Sequence, residues 1–145
     1  MFEPSLALAA FGTDVSVLGP LLRYAVIGLP LGLLSGLLLG LVANRSDGWG
    51  GYGSLRRRAA RLGHIAAVML PLIAGVYALL GRAGGVDPLL AGWAVPLWIA
   101  GGWSLVGVLF LTAWRPALRY LLALPATALT SASVLFAMAL DVAVA

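Results

Sequence analysis

The sequence predicts an all-α polytopic membrane protein, an up-down bundle of four transmembrane helices with both termini outside. Three observations carry that reading. The chain of 145 residues is 62% hydrophobic and only 10% charged, with a mean hydropathy of +1.05, whereas soluble domains carry about 25% charged residues. Its apolar residues fall into four stretches, each long enough for the ~20 residues that cross a ~30 Å hydrocarbon layer. Arg45, Arg56, Arg57, Arg58, Arg61, Arg115 and Arg119 lie in or beside the first and third connections, and only Arg23 and Arg82 lie elsewhere, near Glu3, Asp14, Asp87 and Asp141. Positive-inside sorting then puts the first and third connections, including the loop 44–59, in the cytoplasm.

Composition bounds the rest. Residues 1–145 form a single integral-membrane domain, because four spans use about 80–90 residues and leave only short loops. The net charge of +4 and pI near 10.4 belong to juxtamembrane arginines that meet anionic headgroups. Membrane lipids and other integral-membrane subunits are therefore the expected partners, and nucleic acid is not. Cysteine is absent, which excludes disulfides, thiolate nucleophiles and iron–sulfur ligation.

In chain order, residues 1–19 form a short interfacial segment, with a surface helix expected over Ser5–Phe11. Met1-Phe2-Glu3 is not a basic leader, so no cleavable signal peptide is expected. Span 1 covers about 20–43, with Pro20 in its first turn and Asn44 as its cap. The segment from Arg45 to Leu55 is polar and glycine-rich, hence a loop, and Ser54 is placed to cap a helix that begins with the Arg56–Arg58 run. Spans 2, 3 and 4 cover about 60–80, 88–114 and 117–142. Gly81–Gly85 ends the second, Asp87-Pro88 starts the third, and Arg115-Pro116 makes a tight turn before the fourth. Connections this short make consecutive helices antiparallel neighbours.

Gly28, Gly32, Gly36 and Gly40 recur every four residues, with Ser35 beside them, and so make a bare ridge along one face of span 1. In lipid, where no hydrophobic force drives helices together, small residues permit the close approach that dispersion requires. The ridge is the expected helix-packing or partner interface. Pro30, Pro71, Pro96 and Pro125 place one proline in each span, where each frees a carbonyl for a neighbour to satisfy.

His64 is the only histidine, expected near the cytoplasmic headgroup boundary. Imidazole suits a haem iron or a bacteriochlorophyll magnesium, and Ala60 and Gly63 leave a side on which a macrocycle fits. The run Arg61-Leu62-Gly63-His64-Ile65-Ala66 resembles the start of a helix in uncharacterised small bacterial four-span membrane proteins. That resemblance implies a bacterial inner-membrane location and no particular activity.

Tyr24, Tyr77 and Trp93 fit an outer aromatic belt, and Trp114 and Tyr120 an inner one. Trp98 and Trp103 lie deeper. A buried indole N–H needs an acceptor, such as the carbonyl freed by Pro96. Thr127, Thr130, Ser131 and Ser133 are placed to bond across helices. No span centre holds Asp, Glu, Lys or Arg, which argues against a pump or an ion-coupled carrier. Neither a Ser-His-Asp set nor a phosphate-binding loop is present, so enzyme activity is not expected. The expected function is that of a non-catalytic accessory subunit in a respiratory or photosynthetic complex. The alternatives are a haem or bacteriochlorophyll carrier through His64 and a small transporter or channel.

The topology is directly testable. Single cysteines at Gly51 and Gly84 should label from opposite sides of sealed cells. Labelling of both from outside would overturn the orientation.

Overall fold

The computed structural model describes residues 15–45, 49 and 53–144. The surface helix expected over Ser5–Phe11 and most of the glycine-rich loop lie outside the described residues. A 3-10 turn, Val15–Leu18, leads into α1 (Gly19–Arg45). Then come α2 (Leu55–Gly84), α3 (Pro88–Trp114), a 3-10 helix over Pro116–Leu122, and α4 (Ala123–Val144). Four stretches are long and apolar enough to cross a membrane.

Local chemistry explains the boundaries. Ser54 caps α2 as expected: its Oγ accepts from the Arg57 N–H at 3.3 Å and donates to the Trp49 carbonyl at 2.7 Å. Asp87 caps α3 through Oδ1, which accepts from the Leu90 N–H at 2.8 Å. The Asp87 N–H donates to the Ala139 carbonyl at 3.0 Å, tying the second connection to α4. The fourth span departs from expectation. It opens as a 3-10 helix and becomes α-helical only at Ala123. Pro125 accounts for the switch. In an α-helix running from residue 116 its ring would meet the Leu121 carbonyl, whereas a start at Ala123 puts it in the first turn, where no N–H is needed. Pro30, Pro71 and Pro96 do lie inside α1, α2 and α3.

The helices pack as an open series rather than a closed ring. α2 lies between α1 and α3, and α3 between α2 and α4, so α1 and α4 share no substantial interface. The main core gathers at the end holding the second connection. There Leu18, Leu21, Tyr24, Ala74, Ala78, Trp98 and Phe136 are buried together. At the arginine-rich end only Ala59, Ala60 and Ala113 form a small buried cluster. Many large apolar side chains point outward instead, among them Val26, Leu33, Leu37 and Leu41 on α1, as a lipid-facing surface requires.

The glycine ridge seats α1 on α2. A Cβ at Gly28 would collide with the Pro71 ring, one at Gly32 with the backbone of Ala67 and Val68, and one at Gly36 with the His64 imidazole. A Cβ at Gly40 would have none of the described residues within 4 Å. The contact at Gly32 has a further cause. Pro71 has no N–H to give the carbonyl four residues back, which is that of Ala67. That oxygen is the atom nearest to where a Gly32 side chain would begin, so any side chain there would push the two backbones apart. We predict that Gly32→Leu inserts normally but lowers the thermal midpoint in detergent, by the equivalent of about 1–3 kcal/mol of overpacking. Gly40→Leu should leave the midpoint near wild type. Equal midpoints for the two variants would refute the assignment.

Candidate functional site: a histidine seated on the glycine ridge

The described chemistry in the spans centres on His64. It is the tenth residue of α2, about 13–14 Å along the axis from Leu55, and it is half-buried. Its Nδ1 lies 3.1 Å from the Gly32 carbonyl oxygen and 3.1 Å from the Ser35 Oγ. Ser35 Oγ donates to the same Gly32 oxygen at 2.6 Å. A carbonyl only accepts, so with the Ser35 hydroxyl donating to it, the contact of Nδ1 with Gly32 is a hydrogen bond in the tautomer that carries its proton on Nδ1. That tautomer, assigned from the geometry, leaves the lone pair of the neutral ring on Nε2.

The ring lies face-on to α1. A Cβ on Gly36 would fall 2.8 Å from Nε2, 3.0 Å from Nδ1 and closer still to Cε1 between them. Near-equal distances to these three atoms put Gly36 over the ring face, not at its edge. Gly36 is therefore glycine for the same reason as Gly32: the neighbouring helix occupies the space of its side chain. Together Gly32, Ser35, Gly36 and His64 make an interhelical clamp. In a membrane such polar bonds average about 0.6 kcal/mol each.

The side on which the sequence leaves room for a macrocycle is covered. Ala60 is fully buried, and an added Cβ on Gly63 would meet Phe110 and Leu109 of α3 at 3.3–3.4 Å. Met69 and Met138, whose thioethers could serve as a second axial ligand to a haem iron, are 45% and 51% exposed. Met69 sits five residues along α2, roughly 140° around from His64. Among the described residues no group of three His, Cys, Asp or Glu side chains gathers to hold a metal.

Other expectations need correction. Tyr24 and Tyr77 are not belt residues. Tyr24 is 5% exposed, with its hydroxyl against Gly102 and its ring edge-to-face with Trp103 at 5.4 Å. Tyr77 stacks on Phe136 at 5.0 Å and meets Trp98 edge-to-face at 5.1 Å. The missing side chain of Gly102 makes the room for Tyr24. Trp98 is buried, but its Nε1 has no hydrogen-bond partner, so the carbonyl freed by Pro96 does not serve it. Three of the four hydroxyls expected to reach across from α4 turn inward on their own helix. Thr127 donates to Leu124, Thr130 to Ala126 and Ser133 to Leu129. In an apolar medium this local bond satisfies a hydroxyl without a neighbour. Trp93, Trp114 and Tyr120 are exposed as expected, at 66%, 72% and 73%.

Sequence reasoning placed Ser35 beside the ridge but missed its pairing with His64. The signal was present in the register: 28 meets 71, 32 meets 67 and 36 meets 64, the progression of an antiparallel hairpin centred on the glycine-rich loop. No protein-family model, curated protein or solved structure matches this chain. The family likeness of Arg61–Ala66 therefore rests on those six residues.

The clamp predicts coupling. Gly36→Ala should destabilise the protein because the ring must move, and His64→Ala should destabilise it by opening a gap. Combined, the two should cost less than their sum by at least about 0.5 kcal/mol, read from unfolding in detergent. Strict additivity would show that the residues do not touch.

Proposed function

We propose that the chain is a non-catalytic accessory subunit of a bacterial inner-membrane complex that transduces energy, respiratory or photosynthetic. Its arginine-bearing connections face the cytoplasm. One observation supports the reading: His64 and most hydroxyl side chains of the spans are turned onto backbone. His64 is held to Gly32, Ser104 bonds Ala100, Thr112 bonds Val108, and Thr127, Thr130 and Ser133 bond their own helix. No carboxylate occurs between Asp87 and Asp141, so α3 and most of α4 contain no acid to work with the single imidazole. Such a module acts by packing. Gly40 is the open end of the ridge, flanked by the exposed Leu33 and Leu37, and it offers bare backbone to a partner's helix.

A carrier role for His64 has one observation in its favour. An Nδ1–H donated to a backbone carbonyl is the arrangement that orients ligating histidines and leaves Nε2 for a metal.

Extraction from native membranes in mild detergent, followed by native gels, mass spectrometry of partners and an absorption spectrum, tests both readings. The subunit reading expects a larger assembly containing other integral-membrane chains, weakened by Gly40→Leu. A chain that migrates alone, with no partner, would refute it. A Soret-region band lost in His64→Ala would establish the carrier reading, and no chromophore in the native preparation would end it.

A further inference from the structure

We propose that the groove between α3 and the start of α4 holds an acyl chain of an anionic phospholipid, with its phosphate on Arg115 and Arg119. The proposal rests on the reading that the helices span a bilayer.

The groove is an open cavity of about 340 Å³, lined by residues that include Gly101, Ser104, Val108, Leu121, Pro125 and Ala128. Its floor is low because glycine, alanine and serine stand where larger side chains would fill the helix seam. Its one hydroxyl is not offered outward. Ser104 Oγ donates to the Ala100 carbonyl at 2.6 Å and lies 3.1 Å from that of Gly101. The wall is therefore apolar in effect and suits a hydrocarbon chain.

The charge lies at one end. Ser104, Val108, Leu111 and Arg115 follow one another on one face of α3, so the groove runs toward Arg115, which ends the helix. Arg119 is one turn into the 3-10 helix and exposed. Its guanidinium donates to the Tyr120 hydroxyl at 2.9 Å and sits 4.9 Å from that ring. No acidic residue lies between Asp87 and Asp141, so nothing on this hairpin's spans offsets the two arginines.

The dimensions match one leaflet. Gly101 is the middle residue of α3. From Gly101 to Val108 is about 10 Å, and from Val108 to Arg115 about 10 Å more. Their total, about 20 Å, is half of a bilayer with its headgroups.

The charge also selects the occupant. Copies of one chain insert in the same direction. A pair seated groove to groove about an axis normal to the membrane would bring Arg115 and Arg119 of both copies together at one depth. That is a like-charge contact, which a phosphate instead neutralises.

The test uses the full chain extracted from membranes into a mild detergent. It is mixed with phosphatidylglycerol or phosphatidylcholine, and bound lipids are counted by native mass spectrometry. Wild type should retain one phosphatidylglycerol in preference to phosphatidylcholine. Arg115→Gln with Arg119→Gln should weaken that retention about 30-fold, and either change alone about 5-fold. Ala100→Leu with Ser104→Leu should fill the groove and weaken both lipids while keeping the charges. All four positions are exposed, so the variants should fold, with wild-type helicity as the check. Equal retention of the two lipids by wild type, or unchanged retention by the charge variants, overturns the proposal. So does efficient disulfide dimerisation of Ser104→Cys, in a chain with no other cysteine, because it shows a second copy in the groove. Release of the chain from membranes by carbonate would instead sink the spanning reading itself.

Discussion

The arrangement depends on one contact, the Ala67 carbonyl against Gly32. Pro71 deprives that carbonyl of its helical donor, and a freed carbonyl in an apolar medium must find compensation nearby. The missing side chain of Gly32 lets the two backbones approach at that carbonyl. The contact also marks the register of the hairpin. With 32 against 67, Pro71 must lie in the space left by Gly28 and the His64 ring in the space left by Gly36. Each contact then adds dispersion pairs of about 0.1–0.2 kcal/mol, which in lipid must do the holding that water exclusion does elsewhere.

The two ends of the molecule are held differently. Where the second connection lies, large rings interlock: Tyr77, Trp98 and Phe136 lie within 5.0–6.5 Å of one another. Such pairs contribute about 0.5–1.5 kcal/mol each beyond their burial. They offset the unpaired Trp98 Nε1, whose loss of a partner costs about 1–3 kcal/mol. At the arginine end the buried contacts are between alanines, and the seam between α3 and α4 stays open as a groove. A helix pair clamped at one end by rings and bridged at the other only by a 3-10 turn leaves its small residues uncovered where the charges are.

Much of this was legible in the sequence, and the rest failed for identifiable reasons. Hydropathy located four apolar helices, since segment length and composition are local properties. Ser54 and Asp87 were readable as caps because capping is chemistry within a few residues. The fourth span lies where hydropathy places it, but its 3-10 opening is not legible that way because hydropathy does not separate 3-10 from α geometry, although Pro125 holds the clue. Tyr24 and Tyr77 were assigned to a belt from their position along the axis. Their direction around the helix, toward Gly102 and Phe136, decides their burial instead. Bonds across helices were expected of the α4 hydroxyls because the chain was read one helix at a time, and their own carbonyls are always closer. His64 stands out in the sequence as the only histidine, but its partners lie 29 and 32 residues away. They become visible only once the hairpin register is drawn.

Function depends on where unspent chemistry remains. Inside the bundle, six hydroxyls and the imidazole Nδ1 are bound to backbone. The outward faces differ. On α1 the ridge ends in Gly40, with none of the described residues within 4 Å of a Cβ there. Between α3 and α4 an apolar groove leads toward two arginines that no carboxylate on that hairpin's spans neutralises. Because α1 and α4 stand at opposite ends of an open series, these two surfaces do not compete. On the proposed reading, a partner's helix on the first would leave a lipid on the second undisturbed. An open series accommodates both proposals at once, which a closed four-helix ring with the same residues would not allow.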